Sequence, residues 1–452
     1  MTETKYISQI IFHIILGLMM YYLSIFPSLY FYAVIGYFFF QVIAAPKNEK
    51  VLKVLMACCY IVGAEVIFRM TGAGLFYESS KYFIILFLLI GMFYSGLSNK
   101  AYPYFLVLIF LIPSIVIASI DLRFDGNLRK NVAFVLSGPV CLGISALYCY
   151  NKKLTLKQVQ TILLYVGLPI VTLTTYLFLY TPSIKDIVTG TESNFATSGG
   201  FGPNQVSTVL GLGMFVFCSQ FFLNSKNIGL KILNVAIFSL IAFRGIVTFS
   251  RGGVLTAILM IAAFLIMVYI KSKTKQKSNI IVYFISLIVI GTVIWTISSS
   301  QTSGLIDKRY SGKDKLGREK EDISAGRLDI FLSELEGFID NPFLGVGANG
   351  MKEIRLITQG DVVASHNEMS RLLSEHGILG IIILLILIFK PLDMYAKNSY
   401  NIFFYAFLVF WFATINHSAM RIAAPGFIYG LALLNVTYDK RPIHRKRLAS
   451  PR

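Results

Sequence analysis

His366 is followed by Asn367 and, after nine residues, by Gly377-Ile378-Leu379-Gly380 at the start of an apolar run. An imidazole there is a group that can handle a proton near neutral pH, and glycines let another body approach a helix backbone closely. Three arginines sit where a charge is costly. Arg251 stands in Thr248-Phe249-Ser250-Arg251-Gly252-Gly253-Val254-Leu255, at the junction of two apolar runs. Arg244 lies seven residues earlier inside the first run, on the same helical face if the helix continues. Arg327 ends Ser324-Ala325-Gly326-Arg327, at the head of an amphipathic segment. A charge inside a membrane span is a functional candidate by default. The planar guanidinium fork matches phosphate oxygens, and two such groups can hold a diphosphate as it takes up negative charge. His417 and Arg421, in the last polar turn, could line the same cavity.

Each residue also has a plainer reading. His366 can be an interfacial histidine with its hydrogen bonds satisfied, Arg251 can snorkel to headgroups, and Arg327 can pair with a nearby acid. His376 reads as packing, while Glu368 and Glu375 are placed to orient an imidazole. Nothing resembles a nucleotide-binding loop, and acidic pairs at metal-ligand spacing are absent. Neither a divalent metal nor another cofactor is implied.

The elements that must position these residues are membrane spans. The 452 residues are 56% hydrophobic and 14% charged, which excludes a soluble domain of this length. The fold class expected is all-α, a polytopic transmembrane helical bundle. Fourteen stretches are apolar enough to span: 7–26, 27–45, 51–70, 82–98, 101–120, 131–150, 160–180, 204–223, 230–249, 253–270, 280–299, 375–389, 400–416 and 424–438. The first is not expected to be a cleaved signal peptide, since its flank is poor in basic residues and a second span follows at once. A net charge of +18 would suggest nucleic acid in a soluble protein. Here 22 of the 41 Lys and Arg fall in alternate loops and the C-terminal tail, the bias that marks the cytoplasmic side. Both termini are therefore expected in the cytoplasm, and no nucleic-acid partner is implied. The five cysteines all lie in predicted spans, so neither a disulfide framework nor a metal cluster is expected.

The chain divides into a bundle of about eleven spans over 1–299, a long outer loop over 300–365, about three further spans over 366–438, and a basic tail over 439–452. A loop this long is functional or disordered more often than not. Leu328, Phe331, Leu332, Leu335, Phe338 and Ile339 recur at helical spacing, which predicts a lid helix over 325–340 stopped by Asn341-Pro342. Gly345, Gly347 and Gly350 follow as a tight turn. A second outer loop, 181–204, contains Ser198-Gly199-Gly200-Phe201-Gly202-Pro203-Asn204, readable either as ordinary turn chemistry or as backbone that approaches a ligand.

Together these residues resemble the O-antigen ligase and O-antigen polymerase superfamily of bacterial envelope glycosyltransferases. The resemblance rests on His366-Asn367 with Gly377 and Gly380, on Arg251 with Leu255, and on Arg327 ahead of Asn341-Pro342-Phe343-Leu344-Gly345-Val346-Gly347. It covers roughly 248–380, and fourteen spans exceed the twelve usual there. It implies a multi-pass protein of the bacterial inner membrane with its active site facing the periplasm. The activity implied is metal-independent, inverting transfer of a glycan from undecaprenyl diphosphate to an acceptor hydroxyl. Arg251 and Arg327 would hold the diphosphate and His366 would act as general base. Arg244, Asn367, Gly377, Gly380, His417 and Arg421 would contact substrate.

The implied partners are the undecaprenyl-diphosphate-linked donor, an acceptor, membrane lipid and further polysaccharide-assembly proteins. The acceptor is lipid A-core for a ligase, which the form of the histidine motif favours, or another lipid-linked glycan for a polymerase. Transfer to a protein hydroxyl is a third outcome. From another class, a lipid-linked glycan flippase would also be polytopic and basic, but transporters build their sites near the bilayer midplane. A purely structural scaffold would tolerate loss of His366.

Overall fold

The computed structural model describes residues 2–121, 128–225, 227–320, 322, 324, 326–360, 365–397 and 399–438. The basic tail 439–452 lies outside them. Nineteen α-helices follow in order: α1 Glu3–Tyr22, α2 Phe26–Ala44, α3 Lys50–Met70, α4 Ser79–Ser95, α5 Pro103–Phe110, α6 Ile112–Asp121, α7 Leu128–Cys149, α8 Leu156–Tyr180, α9 Pro203–Leu223 and α10 Ile228–Ile246. They continue as α11 Arg251–Lys271, α12 Thr274–Gln301, α13 Leu305–Tyr310, α14 Arg327–Asp340, α15 Gly350–Gln359, α16 Glu368–His376, α17 Ile378–Lys397, α18 Phe404–His417 and α19 Ala424–Ala432. The chain is an all-α polytopic bundle. Eleven helical segments are long and apolar enough to cross a membrane, α5 and α6 counting as one. The five cysteines are free and buried.

Each predicted span falls on a helix, but those over 82–98 and 400–416 are helices of only 17 and 14 residues, outside the eleven, and four boundaries differ. The span predicted over 101–120 is two helices that meet at Leu111, because Pro113 removes an amide from the ladder. The one predicted over 230–249 stops at Ile246; the chain turns through Phe249, whose φ is +59°, before α11 starts at Arg251. Arg244 and Arg251 therefore do not share a continuous helical face. The span predicted over 375–389 starts later, at Ile378, and runs on to Lys397 through Pro391. The last one, over 424–438, is only the nine-residue α19. It is followed by a strand, β2 Asn435–Thr437, which pairs in parallel with β1 Lys153–Thr155.

In a bilayer, helices associate through close packing and polar contacts rather than through release of water, so small residues mark the interfaces. Helix α3 is largely buried, packed by α2, α4 and α8. A side chain at Gly63 would run into the Val166 carbonyl of α8. Helix α9 is buried against α10 and α11, where a Cβ on Gly211 would lie 2.6 Å from the Gly253 oxygen. Helix α12 stands at the edge and is the least buried of the candidate spans.

The polar segment after α12 is folded at one end of the bundle. The predicted lid helix is α14, and it packs on α16. Glu334, fully buried on α14, accepts from Ser370 Oγ at 2.5 Å and faces Arg355 at 3.5 Å. Two short helices in this segment, α13 and α15, were not singled out by the sequence, although α15 carries a clear amphipathic pattern.

Candidate functional site

The site forms where the starts of α11, α14 and α16 meet the turn between α18 and α19. Asn367 is the N-cap of α16: its Oδ1 accepts from the Met369 amide at 2.8 Å and the Ser370 amide at 3.3 Å. A side-chain acceptor there satisfies amides that have no partner within the helix. His366, one residue ahead of the cap, takes its position from it. Its carbonyl accepts from the Ala419 amide at 3.1 Å, which ties it to the turn after α18. The imidazole borders a cleft of about 570 Å³, shared with Ser324, Arg327, Leu328, Phe331 and Asn416. Its Nδ1 is buried and meets no hydrogen-bond partner among the described residues. Burial first, then the charges of Arg421 and Arg327, push its pKa down to about 3, so the ring is neutral.

On the cleft wall with His366 stands Arg327, and two further guanidinium groups gather beside it. Arg327 is the first residue of α14, turned in by Gly326 at φ +75°. Burial and then the neighbouring charge of Arg251 lower its pKa. Arg309, on α13, was not singled out by the sequence. Its Nε donates to the Phe249 carbonyl at 3.2 Å, and it faces Glu192 at 3.5 Å and Ser193 Oγ at 3.4 Å. Burial, then Arg251, lowers its pKa as well, with Arg327 contributing. Three guanidiniums thus feel one another in a partly desolvated place. Glu192, which faces Arg309, is shared with Lys320. The start of α11 at Arg251 adds the partial positive charge of a helix N-terminus.

The elements that hold Arg251 explain the glycines beside it. The His417 ring lies against Gly252, leaving no room for a side chain, and Ser207 fills the place of one at Gly253. His417 itself is fully engaged, Nε2 with Thr208 Oγ1 at 3.3 Å and Nδ1 with the Ala413 carbonyl at 2.9 Å. Ser250 Oγ donates to Asn204 Oδ1 at 2.7 Å, which links the glycine-rich loop to the head of α11.

The remaining predicted residues are placed as follows. Arg421 donates to the Ser365 carbonyl at 3.0 Å and sits beside the histidine as a fixed charge. Arg244 is fully buried away from the cleft, donating to the Thr197 carbonyl at 2.7 Å and lying over the Phe178 ring. Gly377 and Gly380 were expected to admit a substrate. Instead the chain's own backbone comes close. A Cβ at Gly377 would lie 2.6 Å from the Phe343 carbonyl, and one at Gly380 would strike the Leu372 carbonyl. Ile378 N donates to Pro342 O at 2.8 Å and Val346 N to Ser374 O at 2.9 Å. The histidine segment and the Asn341–Gly347 turn are thus two halves of one packed joint. His376 is buried, as its packing reading expects.

Beneath the turn lies an ionic cluster that sequence reasoning missed. Arg69 bridges Glu65 at 2.5 Å and Glu78 at 3.0 Å, and Lys81 reaches Glu78 at 2.8 Å. Arg69 also donates to the Arg421 carbonyl at 2.9 Å, and Glu65 accepts from the Ala423 amide at 2.7 Å. The signal was present in Glu65, an acid in the middle of an apolar run.

Residues 236–385 match the family model described as O-antigen ligase. No curated protein matches the chain. The matched stretch holds Arg244, Arg251, Arg309, Arg327, His366, Asn367, Gly377 and Gly380, and stops short of His417 and Arg421.

Proposed function

We propose, for a chain whose residues 236–385 belong to the O-antigen ligase family, that the cleft transfers a glycan from a lipid diphosphate donor to an acceptor hydroxyl. A glycosyltransferase-like membrane enzyme follows from the family; the donor, acceptor and residue roles are our reading. The observation that carries it is a neutral imidazole and Arg327 on one cleft, with the charges of Arg251 and Arg309 close enough to Arg327 to act on one another. Such a cation cluster favours a ligand with two or more negative charges, and a diphosphate supplies them.

In this reading Arg251, Arg309 and Arg327 hold the diphosphate of undecaprenyl diphosphate. The acceptor oxygen attacks the anomeric carbon from the opposite face as His366 removes its proton. The bond from that carbon to the phosphate oxygen breaks, and the configuration inverts. The arginines stabilise the charge that gathers on the leaving diphosphate, where preorganised donors are worth most. Burial first, then the charges of Arg421 and Arg327, keep His366 a weak base, and a diphosphate held beside Arg327 would relieve part of that field, so proton removal is tied to donor binding.

The donor's polyprenyl chain has a place beside this cluster. An apolar groove of about 1450 Å³ runs between α10, α11 and α12, from Leu265 and Phe284 up to Val254, Trp295 and Tyr310. Val254 is one turn below Arg251, and Tyr310 adjoins Arg309. We assign the chain to the bacterial inner membrane, with both termini cytoplasmic and the cleft facing the periplasm.

Two acceptors remain in play, lipid A-core and a second lipid-linked glycan. The ligase form of the histidine motif does not decide between them, because Asn367 caps a helix and the two glycines pack against a turn. The test is transfer by purified protein from an undecaprenyl-diphosphate glycan of its host, with and without each acceptor. Wild type is expected to make product and His366→Ala to make none. A His366→Ala variant that matches wild type would remove the histidine from the mechanism.

A further inference from the structure

The bundle has a second apolar groove facing the lipid, on the other flank of α11. It is an open groove of about 920 Å³, its mouth included, and is lined by Leu259 of α11, Leu387, Ile388 and Leu392 of α17, and Tyr405, Val409 and Phe412 of α18. It exists because α17 leans on α5 and α16, while α18 packs on α11 and α19. Ile258 and Leu259 are neighbours on α11 yet line different grooves. From Tyr405 to Phe412 the second groove runs about 10 Å along α18. One turn above its top is Asn416, whose amide donates to the Phe412 carbonyl at 2.7 Å and which borders the His366 cleft.

We infer that this groove seats the polyprenyl chain of the acceptor, a second lipid-linked glycan whose sugar hydroxyl reaches His366. The inference rests on the glycosyl-transfer reading and deepens it. The first groove ends at the arginines and the second ends at the histidine side of the cleft. Leaving group and nucleophile therefore arrive from opposite flanks of α11, as attack opposite the diphosphate requires. The second groove is smaller than the first and suits one flexible chain better than a set of acyl chains side by side. Its top lies within about one helical turn of the cleft. A hydroxyl carried many sugars away from its lipid, as on lipid A-core, gains nothing from an anchor held so close. A short glycan on a single prenyl chain gains a high effective concentration at His366. The new glycosidic bond forms to the acceptor oxygen and the donor's bond to its diphosphate breaks. The lengthened glycan remains on the lipid of the second groove, and the free polyprenyl diphosphate leaves from the first.

The experiment uses full-length protein in lipid nanodiscs. The donor is an undecaprenyl-diphosphate glycan capped at its non-reducing end, so that it cannot accept. The acceptors are an undecaprenyl-diphosphate repeat unit, the same unit on a two-isoprene tail, and lipid A-core. Val409→Trp on α18 and Ile388→Trp on α17, both lining residues, each fill the groove from one wall. Both are expected to raise KM for the full-length acceptor at least tenfold, leaving KM for the donor and for the short-tailed acceptor as in wild type. A benzophenone side chain in place of exposed Leu392 should crosslink to the full-length acceptor. Unchanged acceptor KM in both Trp variants overturns the assignment, as does crosslinking to bulk phospholipid alone. Transfer to lipid A-core that is sensitive to Val409→Trp overturns the prenyl acceptor. Absence of any product from wild type instead defeats the transfer reading beneath it.

Discussion

Gly377→Ala separates two readings of the glycines after His366. Gly377 has φ +59° and ψ −136°, a conformation that a residue with a Cβ adopts only under strain. That strain alone costs on the order of 1–3 kcal/mol. The new methyl would also sit 2.6 Å from the carbonyl carbon and oxygen of Phe343, backbone atoms that cannot swing aside. Relief to an ordinary 3.4 Å separation requires the Asn341–Gly347 turn and the α16–α17 joint to part by about 0.8 Å. Helix α16 is short and carries His366 ahead of its first turn, so the displacement is passed to the imidazole. A misplacement near 1 Å costs about 100-fold in rate. The expectation is therefore a lower melting temperature together with a fall in kcat on the order of 100-fold, with donor KM little changed. Gly36→Ala, at a place where a Cβ meets nothing within 4 Å, is the control and should leave both as in wild type. The measurements are initial transfer rates against donor concentration and thermal unfolding in detergent. If Gly377→Ala raised donor KM while melting stayed unchanged, the glycine would be touching substrate, and the packing argument would be wrong.

Three further outcomes follow from the same geometry. Asn367→Ala should lower stability by about 1 kcal/mol through loss of the helix cap, and Asn367→Ser should restore it; a substrate contact would not be rescued by serine. Arg309→Ala should reduce kcat by on the order of 100-fold, the usual loss when one donor to a developing charge is removed, and unaltered transfer would take Arg309 out of the site. His366 titrates near 3 in the folded chain, so its neutral form persists above that pH and is lost only as pH falls through it. Wild-type kcat/KM should accordingly show no acid limb due to this group between pH 5 and 7, and Arg327→Gln should move the limb upward; a limb near 6.5 in wild type would contradict the field described here.

The spans were legible because a bilayer demands long apolar runs and satisfied backbones, which leave a strong pattern. Lid helix α14 was legible for a similar reason, its apolar face recurring at three and four residues. The histidine, Arg251 and Arg327 stood out by type and place. What the pattern did not carry was the role of neighbours. Asn367, Gly377 and Gly380 look like a binding motif in one dimension and are a cap and a joint in three. The break at Phe249 had no local warning, since a bulky residue at positive φ is held by its surroundings and not by its own preference. Arg309 sat among ordinary loop charges, and only the fold brings it to Arg251. Glu65, Arg69, Glu78 and Lys81 come from two helices, and their pairing is a property of the packing.

Helices α18 and α19 have 14 and 9 residues, about 21 and 14 Å of rise. Their lower ends are level with the strand pair, where Asn401 Nδ2 donates to the Ala432 carbonyl at 3.4 Å. The hydrocarbon of a bilayer is about 30 Å thick. With the strand pair taken as the near surface, the turn that carries Arg421 and faces His366 stops roughly 9 Å short of the far one. Water and charge are let down into the membrane at this point. On the transfer reading proposed above, a lipid-borne phosphate reaches the cations while its chain stays at its resting depth, with no work done against the hydrophobic effect to raise it.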